Sequence, residues 1–515
     1  MSYVSLTKNN ILNKKIFLVL FGIFFIVFVF TSDGHRYTID EDITQTQALR
    51  IITQTPHLLF VENESKLYYE YTTLFPNPTG PTCKNAYLCS NSFIGHTITQ
   101  IPFIAINHYL HIVSPDSIDI ELSFDDFGDY HYAFWRNNIN SDFTFMEIFY
   151  GPFFSALSVG IFFLILRTFN ISTKNSILLS FFFALTTPIW AYSQTSLNSV
   201  PATSFVLLGF FFFRKFQLFS SPIYLLYSGI FLGFSFLIRP DAIYFIIPMF
   251  ILLIYIISKN NNKIKNFLFF SLPLITSYVI YHIIQYFTYN MDVSFDTPGG
   301  AFNNFQINLE GLTGLLFAPG LGLFIFAPIL LTFIFSFLDF FKKYKLECIL
   351  FSSFIIIFIF QYSNLTLTWH GFISWTARYL YPIIPFLLIP LGISLQNRSK
   401  SIYIVLILLG SVGFLANFVY VIQDVAWFVW GQMGEHTHGL YVLDEIYPSP
   451  YRIHPATIWT FEYSQFTHSV LFAINQLRPD IFFLKFFGHT GYTVAFILLL
   501  ISPILFLIRL IKSDK

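Results

Sequence analysis

The sequence predicts an all-α polytopic membrane protein, and three observations carry that expectation. Apolar runs near the length of a membrane span recur along the 515 residues, at 16–31, 146–168, 175–192, 197–213, 222–238, 241–258, 266–287, 320–340, 346–362, 376–396, 401–422 and 487–511. Hydrophobic residues make up 55% of the chain, charged residues only 11%, and the mean hydropathy is +0.62. One soluble core could not hide that much apolar surface. The basic residues, finally, gather on alternate loops, as they do when helices are threaded back and forth through a bilayer.

The first run, Ile16–Phe30, follows Lys8, Lys14 and Lys15 and could be taken for a signal peptide. Thr31-Ser32-Asp33-Gly34 is a poor cleavage site, so the run reads as a retained anchor. Phe93–Val113 contains His96, Gln100, Asn107, His108 and His111, and reads as an amphipathic helix lying at the interface. Counting it as a span would reverse every later loop. With twelve spans and a cytoplasmic N-terminus, 18 of the 28 Lys and Arg fall on inside loops, but of the 28 acids only Asp339, Glu347 and Asp514 do. Both termini are then cytoplasmic.

This threading divides the chain into a transmembrane catalytic module over 1–422, whose first outer loop is 32–145, an extracytoplasmic loop region over 423–486, and a final span with its tail over 487–515. The other outer loops lie near 288–319 and 363–375. The net charge is zero and no basic block occurs, which argues against nucleic acid as a partner. The inside loops are too short for a nucleotide-binding domain, and no Gly-rich loop ends in Lys-Ser or Lys-Thr. Chemistry is therefore expected at the extracytoplasmic face. Cys83 and Cys89 could pair there, whereas Cys348 opens an apolar run and reads as packing.

The most suggestive stretch is Ile39-Asp40-Glu41-Asp42-Ile43, within ten residues of the end of the first run. A carboxylate at the membrane surface can take a proton from an acceptor hydroxyl or bind a metal with its neighbour. On a helix Asp40 and Glu41 would point about 100° apart, so one would act and the other support it. Acids decorating a helix N-terminus would look the same. Asp125, Asp126 and Asp129 form a second acidic patch that reads better as a solvated face. Glu435-His436-Thr437-His438 lacks an obvious third ligand for zinc. Asn63-Glu64-Ser65 and Asn364-Leu365-Thr366 are weak sequons. No cofactor is assigned; a divalent metal ion is left open.

An anchor followed by Asp40-Glu41 and the helix-like Ile43–Ile52 resembles the membrane glycosyltransferases of the GT-C superfamily, which includes protein O-mannosyltransferases and lipid A aminoarabinose transferases. Leu67-Tyr68-Tyr69 and Gly95-His96-Thr97-Ile98-Thr99-Gln100-Ile101-Pro102 resemble that group's first-loop segments. Thr187-Pro188-Ile189-Trp190-Ala191-Tyr192-Ser193, Leu237-Ile238-Arg239-Pro240, the segment Gly314 to Leu323, and Trp369-His370-Gly371 through Arg378-Tyr379-Leu380 are similar to later ones. The resemblance covers roughly 16–396 and lies in order and topology more than in any single motif. After Tyr69 the Lys-Pro-Pro of the aminoarabinose transferases is replaced by Glu70-Tyr71-Thr72-Thr73, and no Trp-Trp-Asp-Tyr-Gly signature of oligosaccharyltransferases occurs.

The resemblance implies a GT-C fold with interfacial helices in the first outer loop. It also implies transfer of a sugar from a polyprenyl-phosphate donor to an extracytoplasmic protein, lipid or glycan, with inversion. By match to the family's first-loop acid, Asp40 would be the base and Glu41 its support. Arg378 and Arg239, at headgroup height, would grip the donor phosphate, although Arg239 could instead pair with Asp241 and any Arg near a span end can snorkel. Tyr68, Tyr69, Trp369 and His370 would border the substrates. Other readings are a secondary transporter or a lipid-linked glycan ligase or flippase. The lack of internal repeats and of mid-depth charges argues against transport.

Overall fold

Backbone amides inside a bilayer can find partners only in their own segment, so long apolar runs become helices. The computed structural model describes residues 3–34, 39–53, 93–110, 144–258, 262–288, 308–365, 369–371, 374–396, 400–423, 455–476 and 479–513. Among these residues the protein is helical, with no strand and one isolated bridge between Gln423 and Pro479.

The chain opens with α1 (Tyr3–Phe30), then α2 (Ile39–Ile52), which carries the acidic stretch, and α3 (Ile94–Leu110). Next come α4 (Thr144–Thr168), α5 (Thr173–Leu185), the single turn α6 (Ile189–Tyr192), α7 (Ser199–Phe219) and α8 (Pro222–Ile238). A 3-10 turn, Pro240–Ala242, leads into α9 (Ile243–Ile257), followed by α10 (Lys263–Thr288), α11 (Leu309–Phe317), α12 (Leu323–Phe326), α13 (Thr332–Lys343) and α14 (Lys345–Ser363). A second 3-10 segment, Arg378–Ile383, enters α15 (Ile384–Ser394), then α16 (Lys400–Val421), α17 (Pro455–Trp459), α18 (Gln465–Gln476) and α19 (Phe482–Ser513).

Among the described residues, eight helices are long and apolar enough to cross a membrane: Ile11–Phe30, Phe145–Thr168, Ser199–Phe219, Pro240–Ile257, Lys263–Ile284, Lys345–Ser363, Ile402–Val421 and Phe482–Lys512. The remaining four apolar runs are shorter or broken, and proline explains most of it. Pro188 follows the end of α5, where the Thr186 amide closes the last turn on the Phe182 carbonyl at 2.9 Å. Pro328 and the glycines at 320 and 322 divide the 320–340 run into α12, a 3-10 turn and α13. Pro382 and Pro385 make the 376–396 run begin as a 3-10 turn. Run 222–238 stays whole as α8, only shorter than its neighbours.

Small residues let α8 lie close between α7 and α10. Ser228 Oγ donates to the Gly209 carbonyl at 2.8 Å, Ser235 Oγ donates to the Ala202 carbonyl at 3.0 Å, and Gly229 and Gly233 face Phe270, Pro273 and Ser277 of α10. Close backbone approach of this kind is what holds helices together where water supplies no drive. α1 packs on α4, with Gly160 against the Phe17 ring, and α19 lies on the outer side of α1, its Tyr492 hydroxyl donating to the Phe30 carbonyl at 2.8 Å.

α3 turns its polar side inward. His96, Thr97, Thr99, Gln100 and Asn107 are buried, but Ile98, Ile106, Tyr109 and Leu110 are exposed. A helix with apolar residues facing outward and polar residues facing the bundle suits the headgroup boundary.

Near the far end of α7 Arg214 is buried in an ion pair with Glu347 of α14, its guanidinium carbon 4.3 Å from the centre of the Phe169 ring. Removing one partner of a buried pair strands the other. Glu347→Leu is therefore expected to lower stability by about 3 kcal/mol or more, and Arg214→Met added to it to recover most of that loss, in thermal unfolding of detergent-purified protein.

Candidate active site

Two polar clusters surround the residues singled out by the sequence, and α3 and α8 bring them together. The first is centred on Ser196, in the turn between α6 and α7. Glu41, 1% exposed, accepts from the Ser196 amide at 2.7 Å and from its hydroxyl at 3.1 Å. Gln45, one helical turn further along α2, donates through its amide nitrogen to Ser196 Oγ at 3.0 Å and also to the Glu147 carboxylate at the start of α4. His96 of α3 joins from the other side, its Nε2 2.8 Å from the Ser196 carbonyl and 3.1 Å from the Gln100 amide. Ser196 thus spends its N–H, hydroxyl and carbonyl on side chains of α2 and α3.

The acidic stretch is helical, and Glu41 within it faces inward. Asp40 is the second residue of α2, and its side chain lies outside the described residues. Tyr68 and Tyr69 lie wholly outside them, as do Cys83, Cys89, Asp125, Asp126, Asp129 and the Glu435–His438 stretch.

The second cluster contains both arginines. Arg239, where α8 ends, is ion-paired with Asp241 at 2.8 Å and donates to the Tyr362 hydroxyl at 2.8 Å, which in turn donates to Asp241. The pairing foreseen as an alternative for Arg239 is therefore the one made. Tyr362 stacks on Tyr379 with 4.5 Å between ring centres and 5° between planes, and the half-buried Arg378 lies over Tyr379 at 5.2 Å. The two arginines so flank one aromatic stack. Gly371, at φ +73°, runs beside Arg378, whose Cγ would lie 3.0 Å from a Cβ there. Trp369 and His370 are buried next to it, Trp369 packed against Gly314 and 6.2 Å from the Trp459 ring of α17.

Gly95 links the clusters. A Cβ on it would lie 2.5 Å from the Ile238 nitrogen and 2.7 Å from the Leu237 carbonyl oxygen, so α3 rests on the backbone that leads into Arg239. The segment carrying α17 and α18 also reaches this region: the Gly320 amide donates to the Ile458 carbonyl at 2.9 Å, and Gln465 of α18 donates to the Ser374 carbonyl at 3.3 Å. Among the described residues no three His, Cys, Asp or Glu gather closely enough to hold a metal ion.

Sequence reasoning missed Ser196, Gln45, Glu147, Tyr362 and Tyr379. Glu147 had a signal, an acid on the edge of an apolar run; Ser196 and Gln45 had none, being ordinary polar residues until the helices meet.

Residues 148–285 match the family model of the dolichyl-phosphate-mannose-protein mannosyltransferases. The match is of GT-C type and agrees with the resemblance read from the motifs. It spans most of α4 through nearly all of α10, and so includes Ser196, Arg239 and Asp241, while α2 and the Arg378 segment lie on either side of the matched mannosyltransferase region. No curated protein matches the chain.

Burial pushes the His96 imidazole down to about 4, outweighing the raising effect of its hydrogen bond to the Ser196 carbonyl. The unfolded chain takes up this proton near its ordinary value of 6.5. Stability is thus complete above pH 6.5 and falls as pH drops towards 4, by on the order of 3 kcal/mol in all. His96→Asn is expected to lack this slope, read from melting temperatures at about pH 7.5 and about pH 4.5.

Proposed function

We propose that this protein is an integral membrane glycosyltransferase that moves mannose from a polyprenyl-phosphate carrier to an extracytoplasmic acceptor. The observation that carries the reading is the docking of the acid-bearing α2, through Glu41, onto Ser196 within the segment that matches the mannosyltransferase family. The twelve-span threading with both termini cytoplasmic, which the basic residues favour, puts this site on the outer face.

In this reading Asp40 accepts the proton of the acceptor hydroxyl as that oxygen bonds to the sugar C1. The bond from C1 to the phosphate oxygen breaks on the opposite side, its electron pair leaves with the polyprenyl phosphate, and the anomeric centre inverts. Glu41, held by two donors from Ser196, supports the helix that carries the base. Arg378, half-buried at the edge of the Tyr362–Tyr379 stack, would meet the departing phosphate, with Arg239 held nearby by Asp241. Trp369 and His370 border the sugar, and Tyr68 and Tyr69 the acceptor.

Sugar transfer in purified membranes, from a panel of radiolabelled polyprenyl-phosphate sugars, tests this. Mannose is the expected donor sugar, and Asp40→Asn is expected to reduce transfer by about a hundredfold or more with expression intact. Robust transfer in Asp40→Asn would move the base elsewhere. Loss of all transfer from every donor, with acceptor-rich native membranes present, would sink the reading. Arg378→Gln is expected to slow transfer by about ten- to a hundredfold, whereas Arg378→Lys, which keeps the charge but not the fork, retains an intermediate rate.

A further inference from the structure

Glu147, Gln45, Ser196 and Glu41 form one continuous hydrogen-bonded chain through α4, α2 and the turn before α7. All four side chains are buried, so bulk water does not scramble their donors and acceptors. The chain has a direction. The nitrogen of the Gln45 amide, not its oxygen, faces the Glu147 carboxylate, so the NH2 donates and the carboxylate accepts. The second hydrogen of that NH2 points at Ser196 Oγ, which then accepts and must send its own hydrogen elsewhere. Glu41 Oε1, 3.1 Å away and already holding the Ser196 amide, takes it.

Among the described residues, Gln45 Oε1 has no hydrogen-bond partner. A reversed amide would therefore break nothing on its oxygen side. It would aim that oxygen at Ser196 Oγ, and the serine hydrogen would turn from Glu41 to Gln45. The reversed state would set the Gln45 oxygen against the Glu147 carboxylate, and it would leave the NH2 where no described residue accepts.

We infer that Glu147 is a positioning residue for the transfer reaction: it fixes the orientation of the Gln45 amide, and through Ser196 delivers a second donor to Glu41, so that α2 presents the neighbouring Asp40 in one geometry. The inference rests on the mannosyltransferase reading and adds Glu147 and Gln45, which that reading does not use. Glu147 lies one residue ahead of the segment that matches the family and touches no substrate; it acts through Gln45.

The test compares Glu147→Gln, which keeps the size but can donate as well as accept, with Glu147→Asp, which is smaller but accepts only. Both are purified and assayed for mannose transfer under saturating and limiting donor. The orientation role predicts that Glu147→Gln loses about ten- to a hundredfold in kcat at an unchanged KM for donor, and that Glu147→Asp keeps the greater part of the rate. A packing role predicts the reverse order, since Gln fills the site and Asp leaves a gap; that order would overturn the inference. Ser196→Ala removes the hydroxyl and keeps the amide. It is expected to match Glu147→Gln, and the double variant to cost no more than the worse single one, because one break already interrupts the chain. Wild-type kcat in Ser196→Ala would overturn the inference even if Glu147→Gln does not accumulate as a monodisperse protein. Failure of the wild type to transfer mannose overturns the functional reading and the inference together, whereas an active wild type with an unaffected Glu147→Gln overturns the inference alone.

Discussion

Within a helical bundle in a bilayer, a buried polar group can be satisfied only by another polar group of the protein, and this requirement shapes the region where α2 and α3 meet the turn before α7. Ser196 is where it is met. Its amide and hydroxyl serve Glu41 and its carbonyl takes the His96 ring, so one turn residue holds both first-loop helices. Without those partners, α2 and α3 would bring two glutamines, a histidine and a carboxylate against an apolar wall at several kcal/mol each. The inward polar face of α3 and its outward apolar one, with Ile98, Ile106, Tyr109 and Leu110 exposed, follow from the same constraint at a membrane boundary.

The arginine cluster obeys the same rule with charge in place of neutral dipoles. A buried guanidinium must be paired, and Arg239 is, with Asp241 two residues on and with the Tyr362 hydroxyl. The half-buried Arg378 lies on the other side of the Tyr362–Tyr379 stack, its guanidinium carbon 5.2 Å from the Tyr379 ring centre. Gly95 rests directly on the Leu237–Ile238 backbone, which leads into Arg239. The acid end and the basic end of the site therefore share one rigid contact between a helix of the first loop and a helix of the matched mannosyltransferase region.

Much of the architecture was legible in the residues. The apolar runs coincide with helices because a bilayer leaves no other backbone solution; the acidic stretch at Asp40–Asp42 is helical; and Phe93–Val113 yields a helix with one polar and one apolar side. Helix length was less legible. Runs 175–192, 320–340 and 376–396 are interrupted at Pro188, Pro328 and Pro382, where a missing amide stops regular hydrogen bonding that hydropathy alone does not register. Arg239 and Asp241 were readable as a pair from their spacing, whereas Arg378 and Tyr362 are separated by a loop and nothing local connects them.

By itself, then, the sequence determined the class of protein, the order of its spans, the motifs that resemble GT-C enzymes and the acids and arginines worth testing, because hydropathy, charge and short-range spacing are properties of neighbours along the chain. Only the tertiary structure decided that Glu41 faces inward, that Arg239 is matched by Asp241, and that Glu147, Gln45 and Ser196 meet Glu41 in one hydrogen-bonded chain. Those facts depend on which helix faces meet, and hydrogen bonds spanning 102 to 155 positions of sequence leave no trace in local composition.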